Sequence, residues 1–476
     1  MSEQVDVFEK GQVVALEQVL DNREWRVAKQ AQLEARFPKA TVVAVKVNMP
    51  GAVKNSATIQ QIFQAGWQLF LAELATWEIQ QVQVFASRPT GPEGFVVVAG
   101  DLADVKKKAI AFEEHFYMGR LFDIDTMAAQ SPDYQLSRQD LGFDPRTCLV
   151  CEENAKECAK AKRHDLAEIQ AAVNKIYNEY FVIDPIIPAW DQETVKKAAT
   201  FACLAEAVTT PKPGLVDPVS TGAHQDMDVY SFLDSALALE PYFGLCLDAG
   251  RHFRGSQLTS LLMAIRPSGR RAEEAMFLAT GGVNTHKGTI FTLGILIAAY
   301  GYASRNQQSP SLSFVQSVVS QMGKDLLSKE LPEKVQGGAD RGQGGLTAGE
   351  EQYREYQLTG VRGEVAGGFA VLGRVGLKTL RESTGSRNVR LLNTLMALAK
   401  SITDSTLIKR AGSPEITAEL ANWVAHFDDL GGAETEAGLA YLKDLDKDFI
   451  ERNLSMGGAA DYLVLTAFLG RLTGLL

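Results

Sequence analysis

Thr210–Asp228, TPKPGLVDPVSTGAHQDMD, is the stretch on which the reading of the fold turns. Pro211, Pro213 and Pro218 stop any helix arriving from the N-terminal side, because proline lacks an N–H and clashes with the preceding turn. Gly214 and Gly222 let the backbone turn where a side chain would not fit. Into this stiff loop the chain places Lys212, Asp217, His224, Asp226 and Asp228. An apolar helical run begins at Val229, so one of the last two acids can cap it while the other points into a pocket. Three carboxylates, an imidazole and an ammonium on one loop suit a metal and a polyphosphate together. The plainer alternative is a capped, solvated connection between helices.

Downstream of this loop nearly every periodic segment is helical. Upstream, Thr194–Val208 is an amphipathic helix that brings Glu206 towards the loop. A domain boundary falls at Tyr180–Trp190, where two prolines break the helical pattern. The segment Glu273–Leu278 presents Glu274 on a helix face. Thr280–Gly288, TGGVNTHKG, is a second loaded loop: glycines and Asn284 end one helix and another starts at Lys287. Backbone N–H groups there, with Lys287, make an anion site, and His286 sits beside it. Gly337–Gly349 is glycine-rich and reads as an active-site lid or a plain connector. Arg362, Asp404 and Arg410, and then Asp461 after a Gly-rich turn, lie at further helix starts. Helix ends thus repeatedly deliver acids and cations to one side of an all-helical core.

The N-terminal part alternates helix and strand. Gln12–Arg36 reads as one long helix with Val13, Leu16 and Leu20 on one face. Arg23 and Arg26, three apart, can share a helix face and grip phosphate. Thr41–Val47 is strand-like and leads through a turn to Lys54. Gly119–Asp125, GRLFDID, sets Asp123 and Asp125 on the same face of a strand, beside Arg120. Two adjacent carboxylates repel unless a cation lies between them, so a divalent metal is the natural resolution. Nucleotidyl transfer uses such pairs to hold a metal-bound triphosphate for in-line attack. Cys148, Cys151, Cys158 and His164 are ligand types suited to zinc, although buried cysteines packed along a helix fit the same spacing.

The composition is that of a globular protein: 46% hydrophobic and 22% charged over 476 residues. A net charge of −10 disfavours a nucleic-acid partner. No apolar run is long enough to span a bilayer, the N-terminus is polar without a signal peptide, and five cysteines are not a secreted disulfide framework, so a cytoplasmic protein is expected. No serine elbow, Walker motif, Rossmann fingerprint or protease zinc motif is present.

PKPGLVD (Pro211–Asp217), GAHQDMD (Gly222–Asp228), GVNTHKG (Gly282–Gly288), RGE (Arg362–Glu364) and the Asn453–Asp461 turn resemble the triphosphoribosyl-dephospho-CoA synthase family, CitG. The turn departs from the family's usual pattern at Met456 and Ala459. RExR (Arg23–Arg26), NMPG with Lys54, GRLFDID and the Cys148–His164 cluster resemble the holo-citrate lyase synthase family, CitX. The resemblance implies a multidomain chain: an α+β nucleotidyltransferase-like domain over residues 1–180, then an all-α domain over 191–476. It implies that the all-α domain makes 2′-(5″-triphosphoribosyl)-3′-dephospho-CoA from ATP and 3′-dephospho-CoA, releasing adenine. The N-terminal domain would attach it to a serine of the citrate lyase acyl-carrier subunit, releasing pyrophosphate.

On this reading Mg²⁺ is expected at Asp123 and Asp125 and at Asp217, Asp226, Asp228, Glu274 and Asp404. The catalytic candidates are Asp123, Asp125, Asp226, Asp228 and Asp461, with His224 and His286 for proton transfer. Arg23, Arg26, Lys54 and Arg120, and separately Lys212, Lys287, Arg362 and Arg410, are the expected phosphate contacts. The basic runs Lys106–Lys108 and Lys160–Arg163 could receive an acidic carrier protein. Three alternatives stay open: the same chemistry serving malonate decarboxylase, a metal-dependent N-ribosyl hydrolase, and a zinc-stabilised docking module without chemistry.

Overall fold

The computed structural model describes residues 4–129, 136–151, 153–327 and 348–476. The expected Gly337–Gly349 lid lies outside them up to residue 347, and Ala348 opens a helix. The chain divides into two compact units, Met1–Ile183 and Asp184–Leu476.

The first unit is α+β. In order it contains α1 (Leu16–Arg36), β1 (Thr41–Val47), α2 (Ala57–Leu74), β2 (Ile79–Phe85), β3 (Glu93–Val98), α3 (Leu102–His115), β4 (Phe122–Ala128), α4 (Ala155–Ala161) and α5 (Leu166–Asn178). The strands form one antiparallel sheet in the order β2-β3-β1-β4. Because side chains alternate across a strand, register decides what each face carries. Val42 lies opposite Val97 and Met127, Ala44 opposite Phe95 and Asp125, and Lys46 opposite Glu93 and Asp123. One face therefore runs from an apolar row to a fully charged one within four residues of chain. Leu33 of α1 covers the apolar end, together with Trp25 and Phe85. On the opposite face Phe70 of α2 meets Phe112 of α3, which meets Phe122 of β4, at ring separations of 5.2 and 5.6 Å.

The packing of α1 differs from its apolar pattern. Val13, Leu16 and Leu20 are exposed, whereas Arg26 is 7% exposed. The helix is turned by Trp25, whose ring packs edge-on against Phe85 and Phe95, and by the carboxylates that Arg26 meets. Aromatic area and buried ion pairs outweigh three aliphatic side chains near a helix start.

The second unit is helical. It begins with α6 (Gln192–Val208), α7 (Val229–His252), α8 (Thr259–Ala279), α9 (Lys287–Ala303) and α10 (Leu312–Met322). It continues with α11 (Ala348–Tyr356), α12 (Gly360–Ala366), α13 (Lys378–Glu382), α14 (Arg387–Ala399), α15 (Ser405–Ala411), α16 (Ile416–Asp429), α17 (Glu436–Glu451) and α18 (Gly457–Thr473). α7 packs against α6, α8 and α9, and α18 against α6, α9 and α14. Leu293 and the run from Ile295 to Tyr300 are wholly buried, so α9 is a central helix. Leu463, Ala467, Phe468 and Leu472 face inward as their spacing requires. No helix among the described residues is long and apolar enough to cross a membrane.

The proline-rich loop between α6 and α7 is bolted to this core. Asn388 of α14 exchanges two hydrogen bonds with the Thr210 backbone, at 2.9 and 2.6 Å. Asp446 of α17 accepts from the Gly214 N–H at 2.8 Å. Gly214 and Gly222 take φ of 68° and 59°, the left-handed region that glycine adopts without strain.

Phe70 is fully buried, with its ring against Phe112 of α3. Phe70→Ala should cost the first unit about 3–5 kcal/mol in chemical denaturation. A loss below ~1 kcal/mol would mean that this aromatic stack does not hold the unit together.

Candidate active sites

The sheet site is built on the charged row. Lys46 reaches Asp123 at 3.2 Å, and Arg146 reaches it at 3.6 Å while holding Glu113 at 2.6 Å. Arg26 bridges Asp125 at 3.0 Å and Glu93 at 3.4 Å. Asn22 donates to Glu93, and Arg88 donates to Asn22. Burial raises the Asp123 carboxyl, but Lys46 and Arg146 outweigh it and hold the group below its ordinary value. Burial dominates at Glu93 and Glu113, so both are raised against the pull of Arg26 and Arg146 respectively. Asp123 and Asp125 do share a face, yet their counter-charges here are side-chain cations.

The expected phosphate contacts separate. Arg23 is exposed while Arg26 is buried, so the two arginines do not act as a pair. Lys54 donates to the Met49 carbonyl at 2.6 Å, and Arg120 donates to the Thr147 carbonyl. Glu93, Lys46 and Arg146 were not foreseen. A lone lysine in the apolar strand TVVAVKV, in step with Ala44, was the available signal for Lys46. The Cys148, Cys151 and Cys158 sulfurs and a ring nitrogen of His164 all lie within 4.8 Å of one another.

The helical unit encloses a cavity of about 350 Å³. The proline-rich loop contributes Leu215, Val216, His224 and Met227 to its wall, but none of its acids. Asp217 is consumed in building the loop. Its oxygens accept from the Thr210 hydroxyl and from the Lys212, Val219 and Ser220 N–H groups at 2.7–3.2 Å. Asp228 caps α7 by accepting from the Ser231 N–H at 2.9 Å, and Asp226 is exposed. Glu274 is exposed on α8; its neighbour Glu273 pairs instead with Lys287 at 3.1 Å. Lys212 is fully buried, with its ammonium bound by the Glu206 carboxylate and carbonyl, so it has no free path to a phosphate. Asp404 accepts at both oxygens: Thr406 and Leu407 N–H on one, the Ala459 N–H on the other. That saturation caps α15 and α18 at once and leaves little for a metal.

The acids that line the cavity are Glu206 at the end of α6, Glu364 of α12 and Asp461, the fifth residue of α18. Asp461 accepts from the Thr289 hydroxyl at 2.5 Å, at the start of α9. Gly288 permits this: a Cβ there would land on the Asp461 carboxylate. Burial pushes the Asp461 carboxyl up to about 7, with Asp404 and Glu206 adding repulsion and Thr289 opposing. His286 is buried; its Nδ1 is paired with the Ser235 hydroxyl at 2.8 Å. Burial and the nearby Lys212 charge lower the ring to about 3, so it is neutral at physiological pH. His286 Nε2 and Thr285 Oγ1 are buried with no hydrogen-bond partner among the described residues, and both residues line the cavity. Such atoms cost free energy unless a ligand or water meets them.

A second, more open cavity of about 540 Å³ is lined by Ser405, Thr406, Lys409, Arg410 and Asn453. Arg410 donates to the Ala223 carbonyl at 2.7 Å and lies 3.2 Å from His224 Nδ1. Burial and Arg410 lower the His224 ring against the pull of Asp226. Arg362 lies on α12 between Val361 and Glu364, two residues that line the first cavity.

A chain with one acid-and-cation site on a sheet and another in a helical unit is, by comparison with known proteins, a bifunctional transferase. Residues 192–476 match the model of the family described as CitG, ATP:dephospho-CoA triphosphoribosyl transferase. Residues 14–180 match CitX, apo-citrate lyase phosphoribosyl-dephospho-CoA transferase. The chain is 44% identical over 470 residues to Protein CitXG of Leuconostoc mesenteroides, covering 99% of this chain and 100% of that one. It is 32% identical over 473 residues to Protein CitXG of Haemophilus influenzae, covering 96% of each. A probable 2-(5″-triphosphoribosyl)-3′-dephosphocoenzyme-A synthase of Lactiplantibacillus plantarum is 40% identical over 290 residues, covering 60% of this chain and 99% of that protein. The chain belongs to the family in which a CitX and a CitG domain are joined in one polypeptide.

The raised Asp461 carboxyl has a stability signature. Folded, it titrates near 7; unfolded, near ~3.9. The folded state binds the extra proton between those values, so this group costs stability progressively as pH rises from ~4 to ~7. Asp461→Asn should therefore raise the thermal midpoint at pH 8, with the difference closing as pH falls below ~4. A difference that does not vary with pH would show that the carboxyl is not held protonated.

Proposed function

We propose that the helical unit makes 2′-(5″-triphosphoribosyl)-3′-dephospho-CoA and that the sheet unit transfers it to the acyl-carrier subunit of citrate lyase. The observation that carries the first half is the cavity lined by Asp461 and by Thr285 and His286, whose Oγ1 and Nε2 have no hydrogen-bond partner among the described residues. In this reading the 2′-hydroxyl of 3′-dephospho-CoA attacks the anomeric carbon of the ATP ribose, and the C–N bond to adenine breaks. Asp461 takes the hydroxyl proton; a carboxyl that titrates near neutrality suits that task. Positive charge develops at the anomeric carbon, and the Glu206 and Glu364 carboxylates face the cavity in which it would form. His286 Nε2 and Thr285 Oγ1 hydrogen-bond the nucleoside. Lys287 and the α9 N-terminus bind the triphosphate, and Lys409 and Arg410 meet the second anionic substrate.

An oxygen-only donor set with like charges near one another fits Mg²⁺. Glu206 and Glu364 would hold it in the helical unit, leaving Asp461 free for the proton, and Asp123 and Asp125 would hold it on the sheet. Bound there, it would neutralise triphosphate charge. On the sheet, a carrier serine hydroxyl attacks the α-phosphorus, a P–O bond forms and pyrophosphate leaves. Arg26, Lys46 and Arg146 stand ready to exchange their carboxylates for phosphate oxygens. Joining both activities in one chain raises the local concentration of the intermediate.

The test is mass spectrometry of an apo acyl-carrier subunit incubated with the protein, ATP, 3′-dephospho-CoA and Mg²⁺. A covalent adduct is expected, with adenine and pyrophosphate released. Asp461→Asn should cut adenine release by roughly 10²-fold or more. Asp123→Asn should abolish the adduct while adenine release continues. Adenine release that needs no dephospho-CoA would replace the synthase reading with an N-ribosyl hydrolase, and no adenine at all would overturn the assignment.

A further inference from the structure

The four-ligand cluster of the first unit lies outside the groups used so far. A bridge between Thr147 and Asn154 brings the two ends of the Cys148 turn together. Asn154 then caps α4, which carries Cys158, by accepting from the Lys156 N–H at 2.9 Å. Lys162 turns the chain at φ 47°, and His164 follows. His164 Nε2 lies 3.2 Å from Cys151 Sγ, and Cys151 Sγ lies 3.5 Å from Cys158 Sγ. A Glu168 oxygen, which accepts the Asp165 N–H at 2.9 Å, lies 3.7 Å from His164 Nδ1, on the side from which a carboxylate can orient a ligating imidazole. Three thiols and an imidazole form a soft donor set that closes a tetrahedral zinc site with no open position, which marks a structural rather than a catalytic metal.

The cluster is also tied to the sheet site. Arg146, two residues before Cys148, accepts the Ala155 N–H at its carbonyl at 2.8 Å. Its guanidinium reaches both Glu113 and Asp123. Arg120 binds the Thr147 carbonyl. We propose that Cys148, Cys151, Cys158 and His164 bind one structural zinc ion, and that this ion fixes Arg146 against Asp123. Metal loss then slows transfer to the carrier and spares adenine release. The activity arm rests on the transfer reading above; the metal arm does not.

The full chain, purified under reducing conditions, is assayed for metal by inductively coupled plasma mass spectrometry and, after cobalt exchange, by visible absorption. One zinc per chain and the ligand-field bands of tetrahedral thiolate-bound cobalt are expected. Cys151→Ser should lose the zinc, and adduct formation should fall roughly tenfold or more with adenine release unchanged. Glu168→Gln should weaken zinc binding by roughly tenfold while leaving the ligands in place. A chain that takes up neither zinc nor cobalt, or that holds iron instead, overturns the site. A metal-free Cys151→Ser chain that forms adduct at the wild-type rate overturns the coupling to Arg146. If the wild type forms no adduct, the transfer reading fails while the zinc and cobalt measurements still decide the site.

Discussion

A fully buried ammonium sets the terms for the helical unit. Lys212 has no exposure to water, and an unpaired charge in that position would be intolerable to the fold. Its partner is Glu206, itself almost wholly buried, which binds it through both side chain and backbone. The pair therefore fixes the proline-rich loop to the end of α6. It also points one acid at the cavity and places a positive charge that adds to burial in keeping His286 unprotonated. Removing either partner would strand the other charge, a change worth roughly 3–5 kcal/mol in comparable interiors.

The same economy of charge governs the sheet unit. Glu93, Asp123 and Asp125 would repel one another along one face, and Lys46, Arg26 and Arg146 are interleaved to prevent it. Each cation lies between or beside acids and offsets their repulsion. The apolar row at Val42, with Ala44 and Phe95 beside it, keeps the other end of that face dry, and α1 is held down by Arg26 as well as by Leu33. The ion pairs that hold α1 to the sheet thus belong to the same charged row.

The sequence made the punctuation legible. Glycines at 214 and 222 sit at positive φ, Thr41–Val47 is a strand with the same ends in the structure, and the inward faces of α9 and α18 follow from their apolar content. Asp123 and Asp125 could be placed on one face because strand alternation is local. What could not be read was how each acid is employed. Asp217 and Asp228 looked like ligands and are instead occupied by backbone N–H groups of their own loop and helix. Glu93 and Arg146 gave no local sign, because cross-strand register and long-range pairing are not written in any one segment. The α1 stripe misled for a related reason: periodicity reports which residues share a face, while only the partner reports which face is covered.

Asp404 has a mechanical consequence. One carboxylate receives N–H groups from the starts of α15 and α18, which lie far apart in the chain. Those two starts bring Ser405 and Thr406, and Gly457 and Gly458, to the cavity wall. These two adjacent stretches of wall therefore share a single rivet, and neither can shift without loosening the cap on the other. This stretch of the rim therefore moves as one piece or not at all, so any change in the width of the cavity has to come from elements other than these two helix starts.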